Sequence, residues 1–180
     1  IVDEITIGFR LASGGAHLRY GVEPDMAVFA KALGNGHPSA AIIGTADAMR
    51  GAHESFVSST YWTESVGPAA ALAALKKMRR VDLPAKVNDI GVAIQTIWRE
   101  AAQRHGLPLS VGGFPCIAKF AFDHPDDNVL RTLFTQWMLD EGFLAGTMIY
   151  PSLAHTSDVV TKYAGAVDRV FSRIAGCIDD

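Results

Sequence analysis

The chain has 180 residues, 49% of them apolar, with 16 basic and 19 acidic side chains and a formal charge of −3. That near-balance excludes the clustered positive charge of a nucleic-acid footprint, and the apolar content excludes a disordered chain. No apolar run approaches the ~18 residues of a membrane span, whereas a domain of about 150 residues can bury roughly two-thirds of its unfolded surface.

Ile1-Val2-Asp3-Glu4-Ile5 opens the chain with no initiator Met, basic n-region or apolar h-region. A secretory signal is therefore not expected, and the sequence reads as cut from something longer. Val28-Phe29-Ala30 and Ala40-Ala41-Ile42-Ile43, bounded by Gly or Pro, predict short buried strands of a mostly covered sheet. Lys31 to Pro38 holds two glycines and a proline and cannot be a helix interior. A helix is expected from near Glu64 to Arg80, through the alanine-rich run 69–75. Asp82 and Pro84 restart the chain as a second helix, with Val87, Ile90, Ile94, Ile97 and Ala101 on one stripe and Gly106 as its stop. A change of domain is placed near residues 78–84, giving domains 1–80 and 81–180.

Leu107 to Phe122 holds two strand-like runs about the Gly112-Gly113 turn. Asp123 to Asp127 is a turn and helix-start cluster. Val129, Leu133 and Trp137, beside Leu130, Phe134 and Met138, predict a wide apolar helix face ended by Gly142. Phe143 to Ile149 reads as a strand. A last helix carries Val160, Tyr163, Val167, Val170, Phe171 and Ile174 on one side. Cys116 and Cys177 are too few and too far apart for a zinc motif or a disulfide framework. Both are expected to be ordinary buried thiols in a reducing compartment.

Lys31 follows an apolar strand and precedes a Gly-rich turn, where open α/β sheets place ligands. A desolvated lysine there could form a Schiff base; a solvated surface lysine is the plainer account. Asp3-Glu4 could supply metal ligands, a general base or a partner for a ring nitrogen, or be plain loop acids. Ser58-Ser59-Thr60-Tyr61 precedes the long helix, so its hydroxyls could cap that helix or bind a phosphate at its N-terminus. The histidines at 17, 37, 53, 105, 124 and 155 have no metal-type spacing, and no Walker phosphate loop occurs.

Three stretches in order carry a more specific signal. They are Asp3-Glu4-Ile5-Thr6-Ile7-Gly8-Phe9-Arg10, then Pro24-Asp25-Met26-Ala27-Val28-Phe29-Ala30-Lys31, then Ala32-Leu33-Gly34-Asn35-Gly36. Together they resemble the signature of class III aminotransferases, fold-type I enzymes that use pyridoxal 5'-phosphate (PLP). Within that family the look is closest to glutamate-1-semialdehyde 2,1-aminomutase-like members. The likeness covers essentially the whole chain, while family members are more than twice as long. It implies an α/β fold: the C-terminal part of the large PLP-binding domain over residues 1–80, then a small α/β domain over 81–180. The missing portion would hold the loop that grips the PLP phosphate and the aromatic residue that stacks on the ring.

By the same resemblance, Lys31 matches the Schiff-base lysine and Asp3 the aspartate beside the pyridine nitrogen. Ile5 matches the aliphatic residue on one ring face, and Thr60 the threonine reaching the PLP phosphate of the neighbouring subunit. The implied reaction is amino transfer between a small-molecule amino donor and an oxo acceptor, or its aminomutase variant. A cytoplasmic homodimer is implied, with no nucleic acid, membrane or metal. After Thr60-Tyr61 the family commonly has Gly-Gly-Asn-Pro, where this chain has Trp62-Thr63-Glu64-Ser65. Taken alone, the chain is expected to be inactive, and a silent structural or dimerisation piece is the alternative from another class.

Overall fold

The computed structural model describes residues 1–178 and divides into two compact units, Ile1–Ala85 and Lys86–Asp180. In the first, strands β1 (Val2–Asp3), β2 (Met26–Phe29) and β3 (Ala41–Gly44) form a sheet in the order β1-β2-β3. β1 runs parallel to β2, with Val2 opposite Ala27 and Asp3 opposite Val28; β3 is antiparallel to β2. The period-two pattern of β2 turns Ala27 and Phe29 inward, where they pack with Leu33 and Ala71.

β3 departs from the sequence expectation of a buried strand. Ile42 and Ile43 are 53% and 55% exposed. β3 is an edge strand of a three-stranded sheet, and residues 42 and 43 point to opposite faces. Two single-turn helices follow, α1 (Ala46–Met49) and α2 (Gly51–Glu54), then the long helix α3 (Val66–Val81). Asp82, at φ 50°, ends α3 by returning its N–H to the carbonyls of Met78 and Arg79. Helix α4 (Leu83–Arg104) starts at once, with Pro84 in its first turn, where a missing N–H costs nothing.

The second unit contains most of α4, strands β4 (Leu109–Gly112) and β5 (Ala118–Phe122), helix α5 (Asp127–Asp140), strand β6 (Met148–Ile149) and helix α6 (Ser157–Ile178). Its sheet has the order β4-β5-β6 and is antiparallel throughout. Ala118, Phe120 and Phe122 alternate inward along β5. Phe120 meets Trp98 edge-on at 4.9 Å between ring centres and Phe134 at 5.1 Å. Leu130, Phe134 and Met138 of α5 close this core, together with Tyr163, Val167, Phe171 and Ile174 of α6. Gly106 ends α4 at φ 66°, a backbone glycine adopts without a Cβ clash, while the Leu107 N–H returns to Ala102.

Three local expectations are corrected in this unit. Phe143 to Ile149 is not a continuous strand: only Met148 and Ile149 pair with β5, and Leu144 is 92% exposed. Val129 is exposed because the inward stripe of α5 runs through Leu130, Phe134, Trp137 and Met138, and Val129 lies beside it. Cys116 is buried as expected, but Cys177 is exposed, beside the inward stripe of α6. No helix among the described residues is long and apolar enough to cross a membrane.

Candidate functional site

Parallel pairing sets the geometry. Because β1 and β2 run the same way, both leave the sheet at one end, and open α/β sheets gather ligands outside such carboxyl ends. Asp3 is the last residue of β1, and Lys31 follows β2 by two. Alternation then separates the two acids. Asp3 is exposed, and its Oδ1 accepts the Ile5 N–H at 2.9 Å. Glu4 points the other way and is 2% exposed.

Glu4 is fully engaged by its own unit. Its carboxylate accepts the N–H groups of Ala16 at 2.8 Å and His17 at 3.0 Å, and the His17 Nδ1 proton at 2.7 Å. Burial pushes the Glu4 carboxyl up, but these donors outweigh it and hold it below its ordinary value. Of the roles left open for Asp3-Glu4, Glu4 therefore takes a structural one: it ties the 16–17 turn to the end of β1. Gly8 sits against the Glu4 backbone, where an added Cβ would come within 2.6 Å of the Glu4 carbonyl and 2.8 Å of the Phe29 ring.

Lys31 is exposed and adopts φ 48°, a left-handed backbone uncommon for a residue with a Cβ. Ala30 before it is extended, and the Leu33 and Asn35 N–H groups bond back to the Ala30 and Lys31 carbonyls at 3.0 Å. The Lys31 amine donates to Thr6 Oγ1 at 2.6 Å. Lys31 thus reaches the turn that follows Asp3 and carries Ile5 and Thr6. Thr6 and His17 were not singled out by the sequence. Each is tied to its partner across a gap of 25 or 13 residues, which no local pattern encodes.

Thr60 lies apart from this group in its bonding: among the described residues no hydrogen bond links it to Asp3, Ile5 or Lys31. It is exposed in a turn at residues 60–63. The capping expected of Ser58-Ser59-Thr60 is performed by another residue. Glu64 accepts the N–H groups of Val66 at 2.7 Å and Gly67 at 3.0 Å. A carboxylate at that position satisfies two free donors and faces the positive end of α3.

The donor set at the strand ends is a carboxylate, an aliphatic side chain and a primary amine. This fits the ring half of PLP, whose pyridine nitrogen suits a carboxylate and whose aldehyde suits an amine. The second unit holds a largely apolar cavity of about 190 Å³, walled by Ile94, Phe143, Met148, His155, Val160 and Tyr163, none of them a candidate from sequence.

Residues 1–165 match the family model for class-III aminotransferases. The chain is 31% identical over 172 residues to 2'-deamino-2'-hydroxyneamine transaminase of Streptomyces kanamyceticus, covering 93% of this chain and 44% of that protein. It is 30% identical over 181 residues to aminopentol aminotransferase of Sphingopyxis macrogoltabida, covering 97% of this chain and 42% of that one. The FumI protein of Sphingopyxis sp. MTA144, solved in its PLP internal aldimine form, superposes with a TM-score of 0.93 at 29% identity, over 99% of this chain and 44% of that chain. The chain therefore spans less than half the length of these relatives. It belongs to the class-III aminotransferase family, and its fold is a partial α/β domain of the PLP-dependent, fold-type I kind.

Proposed function

From that membership we propose that the chain is the C-terminal part of a PLP-dependent aminotransferase, and that Lys31 is the residue that holds the cofactor. The observation that carries this reading is the placement of Asp3 and Lys31 at the same carboxyl end of two paired parallel strands. Residues 1–80 would be the C-terminal part of the large cofactor-binding domain, and residues 81–180 the small domain.

When bound, PLP supplies an aldehyde and an electron-accepting ring. The Asp3 carboxylate would hold a proton at the ring nitrogen, and Ile5 would pack on one ring face. Lys31 Nζ would anchor the cofactor and, once released, carry a proton to and from the substrate carbon. Thr60 would reach the phosphate of the neighbouring subunit in a homodimer. The departure at Trp62-Thr63-Glu64-Ser65 would put bulk beside that boundary.

Amino transfer from a donor to a separate oxo acceptor is the reading that the relatives' names support, since one is a transaminase and another an aminotransferase. No observation favours return of the group to another carbon of the same skeleton. The test is borohydride trapping of the full-length protein with PLP, followed by peptide mapping. Label on Lys31 is expected. Label on another lysine, with Lys31 unmodified, overturns the assignment; a spectrum of the purified 180-residue chain with added PLP that shows no yellow adduct supports a silent structural or dimerisation piece instead.

A further inference from the structure

We propose that Thr6 is a positioning residue for Lys31, its hydroxyl holding the amine beside the turn that follows Asp3 and carries Ile5. This rests on the reading of Lys31 above. The Lys31 amine donates to Thr6 Oγ1 at 2.6 Å. A lysine side chain has four rotatable bonds and loses much rotamer freedom when it is held. Here both ends are fixed. The backbone is set at φ 48° and braced by the Asn35 N–H on the Lys31 carbonyl, and the amine is set by Thr6.

Thr6 is suited to the task in two ways. It is β-branched, so its χ1 is restricted and its oxygen is a stiff mark. It also lies on a turn that is itself braced, by the Ile5 N–H on Asp3 and the Gly8 N–H on the Glu4 carbonyl. The chemistry of the hydroxyl matters as much. A hydroxyl can accept from an ammonium and can donate to the lone pair of a neutral amine. A carboxylate at the same place would only favour the charged form. To capture an aldehyde the amine must be neutral: Nζ adds to the aldehyde carbon, and the carbonyl oxygen leaves as water with the two amine protons. A hydroxyl partner keeps the amine in place through both protonation states.

The test is stopped-flow mixing of cofactor-free, full-length protein with PLP, read by the growth of yellow absorbance. Thr6→Val should slow capture about ten- to a hundredfold, the loss expected for one hydrogen bond to a chargeable group. Thr6→Ser should restore the rate. Thr6→Asp should fold but move the pH profile of capture to higher pH, a shift that a purely structural role would not produce. Should Thr6→Val not fold, Thr6→Ala removes the same hydroxyl with less bulk. A Val or Ala rate within about twofold of wild type, or faster, overturns the role of Thr6. So does a Ser variant as slow as Val. Borohydride label away from Lys31 in the wild type overturns the Lys31 reading; label on Lys31 with an unchanged Val rate overturns Thr6 alone.

Discussion

Asp3 stands opposite Val28 across two parallel strands, so Asp3 and Lys31, three residues beyond Val28, leave the sheet at the same end. One carboxylate and one amine are thereby set at a common edge by backbone pairing alone. The face each side chain takes follows from the pleat: Asp3 is exposed and Glu4 is buried.

The Asp3 assignment makes a direct prediction. Asp3→Asn keeps the shape of the side chain and removes its charge. The full-length protein should still bind PLP, while turnover falls roughly 10- to 100-fold, the worth of one charge-assisted hydrogen bond. Near-normal steady-state rates in the variant would show that Asp3 does not hold the ring nitrogen.

A shared site makes a prediction about mixtures. Thr60→Ala should weaken PLP binding by about 1.5–3 kcal/mol, roughly 10- to 150-fold in Kd. Mixed Lys31→Ala and Thr60→Ala subunits should regain activity above either parent, because one site of a hybrid inherits both lesions and the other neither. Hybrids confirmed by mass that show no gain would remove Thr60 from the partner's site.

Glu4 should govern acid stability. Its carboxyl is held below its ordinary value in the folded chain, so its contribution is present above the ordinary carboxylate range and is lost as pH falls through the lowered value. Glu4→Gln should lower stability by about 1.5–3 kcal/mol near neutral pH. The gap to wild type should narrow below about pH 4. Urea unfolding across that range tests this, and a pH-independent gap would assign the loss to packing.

The core of the second unit offers an independent check. Trp98 Nε1–H donates to the Tyr163 hydroxyl at 2.8 Å, and both rings are buried. Tyr163→Phe leaves that indole N–H without its acceptor and should cost about 1–3 kcal/mol, read from the unfolding midpoint. Burial pushes the Tyr163 phenol far above its ordinary value, more than the Trp98 bond lowers it. Its tyrosinate absorbance should therefore rise only together with unfolding; earlier ionisation would contradict its burial.

The amino-acid sequence by itself determined the elements whose periodicity is local. The apolar stripes of α4 and α6, the alternation along β5 and the glycine stop after α4 are all written within a few residues of where they act. The family was legible too, because its signature is a run of short ordered stretches. Tertiary structure decided the rest. Burial chose Glu4 over Asp3 as the anchor of residues 16 and 17. Glu64, and not the hydroxyls before it, took the free N–H groups of α3. Only pairing with β5 limited β6 to two residues, and only the fold brought Lys31 to Thr6. These outcomes depend on which distant groups become neighbours once the chain has folded, and on which of them lose their water, and neither is encoded in local spacing.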